Sequence, residues 1–455
     1  MAMMSITHPD ILKFIHAKED LQAFVNYNIS VKIPDLWMNE MLADSSSPQV
    51  VQNPRTGLSY YLPKSLKISS YELSDLVEVE NNTWDVNVFW TKGQLWQAII
   101  ENAQRTGEPG VAFIDRINRD NPTPALGRIE ATNPCGEQPL LPYEACNLGS
   151  INLAQFVQAQ TGKHFTIPDL RDETEILRRI DWQGLSLTVH QAVRFLDNVI
   201  DVNNYQIDPI KKICLANRKI GLGIMGFADA LCKLAVPYNS QAGLNIGGQL
   251  MSFIQEQAHR ASQELANGRG VFPNWQGSIW DTRYHRPQRN AAVTTVAPTG
   301  TLSIIANCSG GIEPLYSLAF TRHVLNGSQL PEVNEFFRMI AQDRGLYTDR
   351  LFTHLAKMGS LEGIDGISED IRRIFVCAHD ISPEWHIRMQ AQFQQYCDAS
   401  ISKTINMPAG ATAEQVNQVY QLAYQLGCKG ITVYRDGCRR CQPMACQHND
   451  CEILL

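Results

Sequence analysis

Apolar positions recur along this chain with two alternating periods, one suited to helices and one to short buried strands. Between residues 95 and 106, Leu95, Ile99 and Ala103 fall on one helical face, and the stripe stops at Gly107. Residues 111–114 follow as an apolar run of strand length. Towards the other end, Thr412 with Gln415 forms a capping box. Val416, Val419, Tyr420, Ala423 and Leu426 then make an apolar stripe that ends at Gly427. The β-branched run 430–434 comes next and reads as a strand. Repeated strand and helix signals predict an α/β fold with a largely parallel sheet or barrel.

Two stretches break the pattern. Residues 43–93 are rich in Ser, Asn and Pro and predict loops that carry an insertion. Everything after Gly437 lacks periodicity, so residues 1–436 read as the folded part and 437–455 as a mobile tail. No internal repeat is visible. A chain of 455 residues buries a large core, and a closed barrel absorbs such a length as one domain.

Composition narrows the picture. At 44% hydrophobic and 19% charged residues, the chain has the make-up of a soluble globular protein. No apolar run approaches the roughly 20 residues that span a bilayer, and residues 1–8 show neither a basic region nor a signal-type apolar core, so a cytoplasmic protein without membrane contact is expected. The net charge of -7 supplies no broad basic field, and a nucleic-acid partner is not expected. Twelve cysteines without a secretion signal point to a reducing compartment. Cys214, Cys232, Cys308, Cys377, Cys397 and Cys428 are scattered among apolar neighbours and read as small buried side chains. Cys135 and Cys146 lie in an unusual segment, and Cys438, Cys441, Cys446 and Cys451 crowd the C-terminal end.

Three segments carry candidate chemistry. Gly221-Leu222-Gly223-Ile224-Met225-Gly226 matches the dinucleotide fingerprint, which needs a preceding strand and an acidic residue about 20 positions on. Arg218-Lys219 leads into it and residues 244–250 hold no Asp or Glu, so close helix packing by small residues is the preferred reading. Residues 297–303, Ala-Pro-Thr-Gly-Thr-Leu-Ser, put Gly and hydroxyl groups ahead of an apolar run. That suits either an ordinary N-cap or a helix N-terminus that holds a phosphate. In Thr132-Asn133-Pro134-Cys135-Gly136-Glu137-Gln138, a cysteine flanked by Pro and Gly sits on a tight loop. Alternating side chains let Asn133, Cys135 and Glu137 converge on one small molecule, against the alternative of a structural turn with a buried thiol.

Taken together, several blocks resemble a known family. Asn133-Pro-Cys-Gly-Glu137, Cys146-Asn-Leu-Gly-Ser-Ile-Asn-Leu153, the 297–301 loop with Ser309-Gly-Gly-Ile-Glu-Pro314, and Ser402-Lys-Thr-Ile-Asn-Met-Pro408 closely resemble the large catalytic chain of ribonucleotide reductases. They stand in the family's order. The resemblance implies a ten-stranded α/β barrel, here incomplete at its N-terminal side, whose finger loop presents a radical cysteine. It also implies thiyl-radical reduction of ribonucleotides to 2′-deoxyribonucleotides for DNA synthesis.

Position by position, Cys135 matches the thiyl radical that takes the 3′ hydrogen. Glu137 matches the base for the 3′-hydroxyl proton, and Asn133 the amide that orients the sugar. Cys146 matches one of two thiols that become a disulfide. Pro134 and Gly136 complete the substrate loop, and Pro298, Thr299, Gly300, Thr301 and Leu302 match the phosphate cradle. Iron- or manganese-dependent members carry two adjacent tyrosines in a late strand, where this chain reads Gly430-Ile-Thr432-Val433-Tyr434-Arg435. Tyr60-Tyr61 lies far upstream and reads as structural. The wording here looks like the adenosylcobalamin-dependent class, a ribonucleoside-diphosphate reductase.

The tail admits two readings. Cys446-x4-Cys451 resembles a redox arm that re-reduces the active site with electrons from a thioredoxin-like reductant. Alternatively, Cys438, Cys441, Cys446 and Cys451 have zinc-knuckle spacing, which would suit single-stranded nucleic acid, although aromatic residues between the ligands are absent. Family members carry a long section before His8-Pro-Asp-Ile11, including the mate of Cys146. The expectation is a partial chain that works only with that N-terminal section as a separate polypeptide.

Overall fold

The computed structural model describes residues 1–22, 24–162, 165–323 and 329–438. They divide into two compact units, one made of residues 1–121, 128–142 and 404–438, the other of 122–127 and 143–403.

The first unit is built on a five-stranded sheet in the order Ala2–Ser5, Ile29–Ile33, Gly110–Phe113, Gly430–Arg435, Thr404–Met407. The first three strands are parallel, Gly430–Arg435 runs antiparallel to Gly110–Phe113, and Thr404–Met407 is parallel to Gly430–Arg435. A side chain at Gly110 would stand 3.0 Å from the Ser30 hydroxyl and 3.1 Å from that of Thr432, so glycine lets the central strands close up. Helix Lys92–Thr106 follows the expected stripe, with Leu95, Ile99 and Ala103 fully buried. Thr91 and Gln94 cap its start reciprocally, and Gly107 closes it at φ +80°. The Thr412–Gln415 box opens helix Ala413–Gln425, whose Val416, Val419, Tyr420 and Ala423 are buried. Leu426 caps this helix and is more than a third exposed, so it lies outside the stripe. Trp96 and Tyr420 join the two helices edge to face.

Residues 43–93 are more ordered than their composition predicts. Val50–Gln52, Ser59–Tyr61 and Val77–Glu78 form a three-stranded antiparallel sheet. Strands of two or three residues are too short to print an alternation, which is why the region reads as loops. Tyr60 and Tyr61 are buried in it, with Tyr61 packed on Phe89 and Trp84, as expected of structural residues.

The second unit centres on parallel strands Asn147–Asn152 and Ile220–Met225. Single parallel bridges, Leu222 with Thr294 and Val296 with Ile401, extend the pairing by two further segments. Helices Trp182–Val202 and Gln241–Arg269 cover it with Leu185, Val189, Val193, Leu196, Ile246, Leu250 and Ile254. The run is therefore strand Ile220–Met225 followed by Gly226 at φ +69° as the N-cap of the next helix, and the expected helix packing is corrected. A side chain at Gly223 would meet the Thr295 carbonyl at 2.5 Å, so the small residues admit a neighbouring strand. Beneath it, the fully buried Asp197 accepts hydrogen bonds from Arg218, Arg269, Arg289 and Asn290. That satisfies a charge that would otherwise be costly.

Among the described residues the largest sheet has five strands, and no helix is long and apolar enough to cross a membrane. Cys214, Cys232, Cys377, Cys397 and Cys428 are buried as expected, whereas Cys308 is half-exposed at the end of a short helix. Cys438 is buried beside the end of strand Gly430–Arg435. Cys441, Cys446 and Cys451, and with them the redox-arm and zinc readings, lie outside the described residues.

Candidate active site

The cysteine loop is the tip of a small hairpin in the first unit. Ala131–Thr132 and Pro139–Leu140 pair antiparallel and leave residues 133–138 as the turn. The turn holds itself. Asn133 donates its N–H to the Gln138 carbonyl at 3.1 Å and accepts the Gln138 N–H on its side-chain oxygen at 3.0 Å, while the Gly136 N–H reaches the Asn133 carbonyl at 3.0 Å. Gly136 stands at φ +82° with open space where a Cβ would be, so the conformation and not crowding demands glycine. Asn28 ties the tip down through the Pro134 carbonyl at 3.2 Å.

Around this turn the three expected residues come together. Cys135 is exposed and Asn133 half-buried, while Glu137 is only 2% exposed. The Glu137 carboxylate accepts hydrogen bonds from the Asn133 side chain and its own backbone N–H. Burial nonetheless dominates and lifts its pKa above the usual carboxylate range. Shielding by the loop, then the negative charge of Glu137, raises the Cys135 pKa. The thiol is thus kept as S–H beside a carboxylate that holds a proton more readily than one in water.

The other expected residues belong to the second unit. Cys146 is half-buried just ahead of strand Asn147–Asn152, its sulfur 3.5 Å from the Asn147 carbonyl. The 297–303 loop turns at Thr299, φ +53°, into helix Gly300–Ile305. The N–H groups of Gly300, Thr301 and Leu302 precede the first helical bond, from Ser303 to the Thr299 carbonyl, and all three residues are exposed. Thr299 is buried, and its hydroxyl accepts the Gly311 N–H at 2.8 Å, so it shapes the loop.

Two buried polar groups in the second unit went unpredicted. Glu144 reaches Lys219 at 2.6 Å and Asn217 at 2.7 Å, with both charged side chains almost wholly buried. Lys403 pairs with Glu313 and donates to His386 Nδ1 at 2.9 Å, and His386 Nε2 stands 3.2 Å from the Ala378 carbonyl. Burial, then the Lys403 charge, pushes the His386 pKa well down, so the ring stays neutral. The available signal was position. Glu144 lies two residues before Cys146, and Glu313 and Lys403 sit inside two of the motif blocks.

Comparison with known proteins follows the same outline. The model of the ribonucleotide reductase barrel domain matches residues 1–434. The vitamin B12-dependent ribonucleoside-diphosphate reductase of Thermoplasma acidophilum is 46% identical over 437 residues, which cover 96% of this chain and 51% of that protein. Its namesake from Mycobacterium tuberculosis H37Rv is 41% identical over 448 residues, covering 98% of this chain and 56% of the relative. The solved Actinobacillus ureae class Id ribonucleotide reductase alpha subunit superimposes with a TM-score of 0.69 at 22% identity, over 96% of this chain and 70% of that one. The chain spans about half the length of the curated relatives it matches.

Proposed function

The chain belongs to the ribonucleotide reductase family, and on that premise we propose that it is the catalytic part of an adenosylcobalamin-dependent reductase that converts ribonucleoside diphosphates to 2′-deoxyribonucleotides for DNA synthesis. The observation that carries the reading is the hairpin tip, where an exposed S–H, a carboxylate whose burial raises its pKa and an amide bonded to it share six residues. In this reading Cys135, as a thiyl radical, takes the 3′ hydrogen of the sugar. Glu137 receives the 3′-hydroxyl proton, a task helped by its raised pKa. Asn133 orients the sugar, and Cys146 supplies one of two reducing thiols. The exposed N–H groups of Gly300, Thr301 and Leu302 hold the phosphates, with Pro298 and Thr299 setting their direction.

The names of the relatives support the cofactor, and so does strand Gly430–Arg435. Where an adjacent tyrosine pair would be needed, Thr432 is exposed and Val433 buried, and neither conducts a radical. When bound, adenosylcobalamin supplies the radical, and an exposed thiol on a hairpin tip fits receipt from outside the chain. The same reading includes an N-terminal section as a separate chain, a thioredoxin-like reductant, Cys446 and Cys451 as the redox arm, a tail from residue 437, and a cytoplasmic setting.

Its test is reduction of CDP by the chain combined with the upstream section, adenosylcobalamin and a dithiol. Cys135→Ser is expected to bind CDP and make no deoxynucleotide, because an O–H bond is too strong to replace the S–H. Substantial turnover by that variant would remove Cys135 from the role, and turnover without cobalamin would overturn the cofactor.

A further inference from the structure

Cys214 lies in the last turn of helix Asp208–Asn217 and is buried. Its sulfur rests against a single residue of the segment that enters strand Asn147–Asn152, 3.3 Å from the Ala145 nitrogen and 3.6 Å from the Ala145 carbonyl oxygen. The next residue is Cys146. Backbone dimensions put a carbonyl oxygen about 2.8 Å from the following Cα, which bounds the distance from the Cys214 sulfur to the Cys146 Cα at roughly 6.4 Å. No disulfide joins either of them to another described residue.

The neighbourhood fixes this approach. Glu144 grips Asn217 and Lys219, the residues that follow Cys214 around the end of its helix. The register that pairs Asn147 with Ile220, continued back by one, sets Cys146 opposite Lys219. The ion pair therefore clamps the Cys146 segment against the turn that carries Cys214.

We propose that Cys214 is a thiol–disulfide exchange partner for Cys146. When Cys146 is joined to another sulfur, such as that of a small disulfide, the Cys214 thiolate attacks the Cys146 sulfur. A Cys146–Cys214 bond forms, the earlier S–S bond breaks, and the expelled thiolate takes up the proton that Cys214 gave to solvent. No electrons enter or leave the set of sulfurs. The exchange holds Cys146 in a state that a dithiol reverses, out of the path to sulfinic acid. It needs only the two thiols, so it stands apart from whether Cys146 reduces a substrate.

The test uses the purified 455-residue chain, incubated with oxidised glutathione and mapped by mass spectrometry without reduction. The expected result is a Cys146–Cys214 cross-linked peptide in the wild type, with glutathione on Cys146 about tenfold more abundant in Cys214→Ala and Cys214→Ser. Equal glutathione on Cys146 in all three proteins, or a Cys146 disulfide to a different cysteine, overturns the proposal. Should a variant fail to fold, the wild-type map alone decides: absence of the cross-link with Cys146 modified counts against it.

Discussion

The hairpin tip of the first unit and the Glu144–Lys219 region of the second both position a cysteine, by opposite means. At the tip the turn's own bonds are local, with Asn28 as a distant tie on the Pro134 carbonyl. Asn133, Gly136 and Gln138 set the loop among themselves, and the thiol stays at the surface. In the second unit the segment before Cys146 is held by a lysine 75 residues further along the chain, in an ion pair removed from water. A local device tolerates loss of a neighbour and fails by changing chemistry. A long-range buried pair fails by unfolding, because the abandoned charge has nowhere to go.

The contrast yields predictions in order of size. Glu137→Gln keeps the side chain's shape and removes the proton acceptor, and should lower the rate of CDP reduction in the reconstituted enzyme by roughly 10²–10⁴-fold with little change in melting temperature. Lys219→Met leaves Glu144 buried without its cation and should cost about 3–5 kcal/mol, measured by urea unfolding. A mild effect there would mean the second region is no more long-range than the first. Gly136→Ala forces a Cβ into the left-handed region and should cost about 1–2 kcal/mol while disturbing the tip, read as faster alkylation or a shifted titration of Cys135.

The smallest effect is one of pH. Burial holds the Glu137 pKa above its unfolded value, so the folded chain binds that proton more tightly. The carboxyl's stabilising contribution is then fully present below the unfolded pKa and is lost as pH rises through the folded one. Relative to Glu137→Gln, the wild type should therefore lose stability across that window. An unchanged difference from acid to neutral pH would show that the carboxylate is not shielded.

What the sequence made legible follows the same division. Helices Lys92–Thr106 and Ala413–Gln425 could be read because their stripes, capping boxes and terminal glycines are all written within a few turns. The cysteine turn was readable for the same reason, since Pro134 and Gly136 bracket it. The Ile220–Met225 strand was not. Its Gly223 answers to the Thr295 carbonyl, more than 70 residues away, and glycine contributes nothing to an apolar pattern. Lys219, Lys403 and Glu144 look in sequence like solvated charges, and only their partners across the fold explain their burial.

The order of strands in the five-stranded sheet also bears on how the protein is made. Gly110–Phe113 sits in the middle, yet its partner Gly430–Arg435 is about 320 residues further on. At a synthesis rate of about 5–20 residues per second, the emerging polypeptide carries that open strand for roughly 16–60 s before the ribosome delivers its neighbour. Nascent chains stalled before residue 404 should therefore be retained by chaperones that full-length chains no longer need.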